Sequence, residues 1–261
     1  MSATAAVRAV AAARPSRPTA EDAPRERILH AAAGAIAAHG FHGMSMRELA
    51  RAAGMSLSNL YNYFPSKEEI LFALQREAFE VLVSSAEEAL RRLELDAEDQ
   101  PGSGGATPAA GLYVLVSHHV RYVAENPEVM RVLVHEAATL PAPRRRAVRR
   151  LKERYFRLAR GIVEALVARG CETAAGRAPT AGAPDPAELD RITYNLFGML
   201  NWIYGWYDPA LHGPPEELAR TIHRIALCGI VSQCPYRDLQ DRLDRNLAAM
   251  DRRPLLGGPP A

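Results

Sequence analysis

The chain has 261 residues, of which 48% are hydrophobic and 24% are charged, and its formal net charge is +2. This length and composition can bury a substantial core, which excludes a wholly disordered chain. Its apolar runs are too short to cross a bilayer, and its three cysteines form no even disulfide framework and match no zinc spacing. We therefore expect a globular protein of the reducing cytoplasm, with no membrane segment, metal or cofactor.

The first 24 residues are alanine-rich, with arginines and prolines scattered among them. They predict a disordered leader, and we do not expect a secretory signal because no uninterrupted apolar segment is present. Residues 25–39 then predict an amphipathic helix that ends near Gly40, with an inward face formed by Ile28, Leu29, Ala32 and Ile36.

A helix-turn-helix pattern comes next. Ser45 and Glu48 have the spacing of a capping box that starts a helix, and Gly54 ends it because glycine adopts a left-handed conformation without steric penalty. Ser56 can cap a second helix, which Pro65 closes because proline cannot continue a helix. In such a pair the second helix can enter the major groove of DNA, although many helical hairpins that bind no DNA share the pattern.

The remaining elements are also helical in their apolar spacing, and no alternation typical of strands competes. A long helix opens at Ser66, and two Gly- and Pro-rich segments, 96–108 and 170–186, predict loops. The later helices are predicted at 112–125, 127–139, 144–168, 186–206, 215–233 and 237–250. The predicted fold class is all-α.

Several side chains of the helix-turn-helix segment suit contact with DNA phosphates. Arg47 and Lys67 place charges at helix ends, and Tyr63 can donate its hydroxyl. Ser45 and Ser56 lie at helix N-termini, where free backbone N–H groups attract anions. Five basic and two acidic side chains between residues 25 and 67 agree with a basic surface. A plain surface charge remains the alternative for Arg47.

Small polar side chains of the second helix suit the base edges. Asn59 and Asn62 can pair with adenine, Ser58 can serve several bases, and Leu57 can touch a thymine methyl group. Tyr61 has two interpretations, because its spacing fits both a base contact and the core. For Asn62 the alternative is a solvated polar residue.

The segment from Ser45 to Lys67, SMRELARAAGMSLSNLYNYFPSK, together with Phe41 resembles the N-terminal domain of the TetR/AcrR family of bacterial regulators. The resemblance covers about residues 25–72. It implies an N-terminal three-helix DNA-binding domain over 25–72, an effector-binding and dimerisation domain over 73–251, and a flexible tail at 252–261. It also assigns Arg47 and Lys67 to phosphate.

The same resemblance implies a homodimer on a near-palindromic operator of double-stranded DNA. In this family two C-terminal helices of each subunit form the interface, and the helices 189–206 and 216–233 are apolar on more than one side. A monomer that buries both helices in one core is the alternative. The expected interface residues are Leu196, Ile203, Ile222, Ile225 and Ile230.

An effector cavity is implied between these helices and the DNA-binding domain. Ordinary core packing is the alternative for each expected wall residue: Leu115, His119, Tyr122, Met130, Val134, Tyr155, Leu158, Ile162, Met199 and Trp202. The segment NWIYGWYDP at 201–209 resembles family members that respond to fatty-acyl or steroid-derived coenzyme A thioesters. Arginines of the helix 144–168 suit coenzyme A phosphates at a cavity mouth, or form a solvated face.

These features predict a ligand-responsive repressor released by a bulky apolar acid or its coenzyme A thioester, with activation left open. Two other classes of protein are alternatives. An architectural DNA-binding protein would have no cavity between the helices 112–169. A helical enzyme is disfavoured, because the sequence contains no HExxH spacing, phosphate loop or serine elbow.

Overall fold

The structure is a computed structural model that describes residues 23–98, 106–169 and 185–231, and within these ranges it is helical with no strand. The all-α prediction is therefore confirmed. Within the same ranges, no helix has the length and hydropathy needed to cross a membrane. Outside the described residues lie nearly all of the predicted leader, the helix predicted at 237–250, the C-terminal tail and most of the two predicted loops.

Four helices open the chain: α1 (Ala23–Gly43), α2 (Met46–Ala52), α3 (Leu57–Tyr63) and α4 (Lys67–Glu98). Gly40 interrupts α1 with a φ of 71°, so the predicted end of the first helix is a kink after which Phe41 turns into the core. We call α1 to α3 and the first two turns of α4 the head. Its core includes Ile28, Ile36, Leu49, Leu60, Ile70 and Leu71.

The other helices pack around the rest of α4, and we call this unit the body. They are α5 (Pro108–Glu125), α6 (Pro127–His135), α7 (Ala142–Arg169), α8 (Pro186–Asn201), a 3₁₀ turn (Ile203–Gly205), α9 (Pro209–His212) and α10 (Pro215–Val231). A second core fills the body, with Leu82, Leu112, Leu115, Tyr155, Leu196 and Ile203 among its buried side chains.

Head and body are joined by shared apolar packing. The helix α4 contributes its first turns to the head core and its middle turns to the body core. In the other direction, three side chains from beyond α4 are buried in the head core: Val132 of α6, Leu140 just before α7, and Val148 of α7. A displacement of α6 or α7 therefore acts directly on the head.

Two helices end earlier than predicted. The first, α6, stops at His135 instead of Thr139, where Glu136 leaves helical geometry. The second, α8, stops at Asn201 instead of Trp206. The chain continues there as the 3₁₀ turn Ile203–Gly205 and is extended at Asp208, which caps α9.

Asn126 precedes α6, but its side chain makes no capping hydrogen bond to that helix. The Asn126 side chain instead donates to the carbonyl of Tyr122 at 2.9 Å, so it closes α5.

Candidate nucleic-acid interface and effector site

The predicted caps of the helix-turn-helix segment are confirmed. The Ser45 hydroxyl accepts from the Glu48 N–H at 3.2 Å and donates to the Glu48 carboxylate at 2.7 Å, and this bond lowers the pKa of that carboxyl. Gly54 has a φ of 68°, as the turn requires. The Ser56 hydroxyl accepts from the Asn59 N–H at 3.1 Å, and α3 ends before Pro65.

Short polar and aromatic side chains form the outward face of α3. Ser58, Asn59, Asn62 and Tyr63 are exposed, and Tyr61 is also exposed, so Tyr61 belongs to the surface instead of the core. On the opposite face, Leu60 is fully buried and Leu57 packs partly buried against the head core. The helix carries no ionised side chain, so its outward face can approach base edges without burying an unpaired charge.

The residues that are predicted to contact phosphate surround this face, but their side chains differ in exposure and in hydrogen bonding. Arg47, Ser45 and Ser56 are exposed. Lys67 is half-buried, because its ammonium group donates to the carbonyls of Phe41 and His42 at 3.4 Å and lies 4.8 Å from the Phe41 ring. Lys67 thus closes the end of α1 and keeps its charge beside the end of α3.

A buried polar pair lies in the body core. The His119 Nδ1 is 3.2 Å from the Tyr155 hydroxyl, their rings stack at 5.8 Å, and the Phe197 ring lies beside both. Burial lowers the pKa of His119 to about 3 and raises the pKa of Tyr155, so both groups are neutral near pH 7. Asn201 approaches His119 closely enough to oppose this shift of the pKa in part.

The second ring nitrogen of His119, Nε2, is buried and has no hydrogen bond of normal geometry within the described residues. A buried polar atom without a partner costs about 1–3 kcal/mol, and a bound ligand can recover this by supplying a hydrogen-bonding group.

The other expected wall residues divide into two groups. Leu115 and Met130 are buried in the body core, and packed against it are the partly buried side chains of Tyr122, Leu158, Ile162 and Met199. Val134 and Trp202 are 36% and 60% exposed. Both side chains are therefore exposed within the protomer, and their place in a cavity wall stays a prediction.

The expected dimer residues also differ in exposure within the protomer, and their place in an interface stays a prediction. Leu196, Ile203 and Ile222 are buried within the protomer as part of the body core. Ile230 is partly buried against the same core, whereas Ile225 is 55% exposed. Apolar composition alone could not separate the two faces of these helices.

Sequence reasoning missed a polar joint between head and body. The Phe41 N–H donates to the Glu136 carboxylate at 3.0 Å, and the Thr139 hydroxyl donates to its other oxygen at 2.6 Å. The Gln75 amide of α4 donates to the Glu136 carbonyl at 2.9 Å. On the body side, the His135 ring nitrogen Nε2 lies 2.8 Å from the Tyr204 hydroxyl. One sequence feature does point to this joint. A helix that breaks at Gly40 leaves the N–H of Phe41 without its helical acceptor, so another acceptor is needed.

Known protein families match both halves of the chain. A family described as "Bacterial regulatory proteins, tetR family" matches residues 28–74, and one described as "Tetracyclin repressor-like, C-terminal domain" matches residues 105–230. The chain belongs to the TetR family. It is accordingly a transcriptional regulator and not an enzyme.

Individual TetR-family proteins agree with this assignment. The regulator RutR of Escherichia coli is 38% identical over 65 residues, which are 25% of this chain and 31% of RutR, so the match spans about a third of that relative. The structure of PfmR from Thermus thermophilus is 30% identical, with a TM-score of 0.59 over 77% of this chain and 97% of PfmR.

A third protein, AibR, was solved in complex with isovaleryl coenzyme A and operator DNA. It is 22% identical, with a TM-score of 0.57 over 78% of this chain and 97% of AibR. At this identity the likeness concerns the fold.

Proposed function

We propose that the protein is a homodimeric, effector-responsive repressor that binds a near-palindromic operator through α3. The observation that carries the proposal is the outward face of α3, where Ser58, Asn59 and Asn62 are exposed together without a competing charge. In this proposal residues 25–72 bind DNA and residues 73–251 bind the effector and the second subunit. A twofold dimer presents two α3 helices to successive major grooves, about 34–36 Å apart.

Exposed stripes on α8 and α10 support the dimer. On α8 the stripe runs through Tyr194, Gly198 and, just beyond the helix, Trp202, and the two aromatic side chains are among the most exposed in the described chain. On α10 it includes Ile225 and Gly229. Large apolar side chains beside glycines suit close helix packing, and aromatic residues are enriched in interfaces. These stripes replace the buried residues that the sequence predicted.

The neutral His119–Tyr155 pair supports an effector with an apolar body and one polar group. The unpartnered Nε2 of His119 can bond a carbonyl or carboxyl oxygen, while the surrounding aromatic rings suit an apolar chain. An acyl-coenzyme A thioester or its parent acid has this chemistry, and AibR binds one such thioester. A thioester carbonyl is the better match in charge, because it keeps the site neutral.

Coupling in this proposal runs through α4 and α6. An effector beside His119 presses on α5 and on the segment that follows α8, and Tyr204 of that segment is bonded to His135 at the end of α6. The next residue, Glu136, holds the head at Phe41. Effector coupling in such proteins commonly changes affinity by about 1–3 kcal/mol.

The test begins with selection of bound sequences from duplexes that contain 30 randomised base pairs, using the full chain. We expect a near-palindrome, retarded by wild-type protein and released by one of a panel of acyl-coenzyme A thioesters. The variants are Asn59→Ala with Tyr63→Phe in the head, which should lose retardation, and the control Asn195→Ala in the body, an exposed amide outside the proposed stripes, which should keep it. Failure to enrich any sequence at low salt would overturn DNA recognition, and enrichment with no response to any thioester would overturn only the effector class.

A further inference from the structure

The first turns of α7 are the most basic segment of the described chain. Five arginines fall within residues 144–150, and α7 carries no acidic side chain before Glu153. Arg145, Arg146, Arg149 and Arg150 are exposed, and we call these four the arginine patch. From the sequence, this helix suits either coenzyme A phosphates or solvent. The position of the helix in the fold favours neither of these two interpretations.

The arginine patch begins at the head and precedes Tyr155 of the buried His119 pair along α7. Val148 is buried in the head core, and Arg144 pairs with Glu69 and lies 5.9 Å from the Phe72 ring. Glu69 is two residues from Lys67, which the family resemblance assigns to phosphate. The start of α7 is thus fixed against the first turn of α4, beside the end of the molecule that presents α3.

The direction of α7 places the patch at that end. Arg144 pairs with Glu69, Lys152 lies over the Phe79 ring at 5.1 Å, and Arg154 pairs with Glu87. Partners further along α7 are therefore further along α4, so the two helices run in the same direction away from the head. The patch occupies the head end of this pair.

Charge pairing also differs along α7. Arg154 and Arg160, nearer the body core, pair with Glu87 and Asp190. Within the described ranges, Arg146 and Arg150 have no acidic partner, and Arg149 has only a solvent-exposed pair with Glu153 at 3.2 Å. An exposed pair of this kind contributes little, so Arg149 can exchange it for a phosphate.

We propose that the arginine patch binds phosphates of duplex DNA outside the half-site read by α3. This inference rests on the proposed DNA-binding function and adds a second contact surface from the body. Arginine donates in a fork that matches phosphate geometry, and each phosphate contact releases counterions, which adds about 0.9 to the salt-dependence exponent of the affinity. The contact extends the footprint on each side and carries no sequence information.

The experiment compares two duplexes that carry the selected operator. One ends at the outer edge of each half-site, and the other continues for about one helical turn of unrelated sequence on both sides. Dissociation constants are measured by fluorescence anisotropy across a salt series for wild type and for the Arg146→Gln, Arg150→Gln double variant. The matched control is Arg91→Gln with Arg157→Gln, which removes two exposed arginines away from the head.

We expect wild type to bind the longer duplex at least tenfold more tightly at low salt, with a steeper salt dependence. The patch variant should lose this difference and keep its affinity for the short duplex, while the control variant keeps both. Equal wild-type binding to the two duplexes, or equal losses in both variants, would overturn the proposal. So would a patch variant that responds less to acyl-coenzyme A with unchanged DNA binding, since that places coenzyme A at the patch. Binding to neither duplex would instead reject the proposed function.

Discussion

Asn59 and Asn62 are exposed one helical turn apart on α3. Other exposed amides share this property, so a measured contact with a base is what sets these two residues apart. We predict that Asn62→Ala weakens operator binding by about 1–3 kcal/mol, roughly 5- to 150-fold, and relaxes preference at one base pair of each half-site. Competition assays with singly substituted operators measure both effects. Asn195→Ala, an exposed amide of α8, should change neither. Uniform weakening on all operators would assign Asn62 to backbone contact.

His119 gives a pH prediction. Its pKa is lowered to about 3 in the folded state, against about 6.5 when unfolded, so between these values the unfolded chain binds a proton that the folded chain does not. The contribution of His119 alone to the free energy of unfolding should therefore fall by about 1.4 kcal/mol per pH unit as the pH drops below 6.5.

In His119→Gln this contribution disappears. Denaturant unfolding at fixed protein concentration from pH 7 to pH 4 gives the slopes, and His118, whose pKa is also lowered by burial, stays in both proteins as an internal control. Parallel slopes for wild type and variant would contradict the prediction.

Residues whose roles depend on neighbours in sequence were predictable. Ser45, Ser56 and Gly54 act within four residues of their own position, so capping and turn rules identify them. The exposure of Trp202 was not predictable, because it depends on where α8 ends. The burial of His119 against Tyr155 joins two residues that are 36 positions apart, and no local pattern specifies that pair.

Among the elements, α6 contacts both the head and the segment after α8, and the proposed coupling runs through it. Its early end at His135 was unpredictable from apolar spacing, since Glu136 leaves the helix to accept a hydrogen bond from a residue 95 positions earlier. The helix itself was predicted correctly, whereas its last residue depends on a hydrogen bond to a residue far away in the sequence.

We predict that Glu136→Ala loosens the joint, because it removes the acceptor of the Phe41 N–H and leaves a partly buried donor unsatisfied. Amide hydrogen exchange of residues 40–43 should accelerate, and the unfolding free energy should fall by about 1–3 kcal/mol. Glu136→Gln is the matched control, since its amide oxygen can still accept that bond. Unchanged exchange in the alanine variant would show that the joint does not hold the head.

For the whole molecule, the proposed operator complex contains two α3 helices and therefore a second subunit, and the exposed stripe of α10 provides the test. Ile225→Glu places a charge where an apolar contact is proposed, whereas Leu95→Glu makes the same change at a 46% exposed side chain of α4. We expect Ile225→Glu to sediment as a monomer at micromolar concentration and to bind single half-sites only, because desolvating an unpaired carboxylate disfavours association. Leu95→Glu should remain a dimer that protects both half-sites.

Since Ile225 is 55% exposed within the protomer, its substitution should leave the circular dichroism of the folded chain unchanged. A dimeric Ile225→Glu protein would mean that another surface joins the subunits, and a monomeric wild type that still protects both half-sites would remove the need for a dimer.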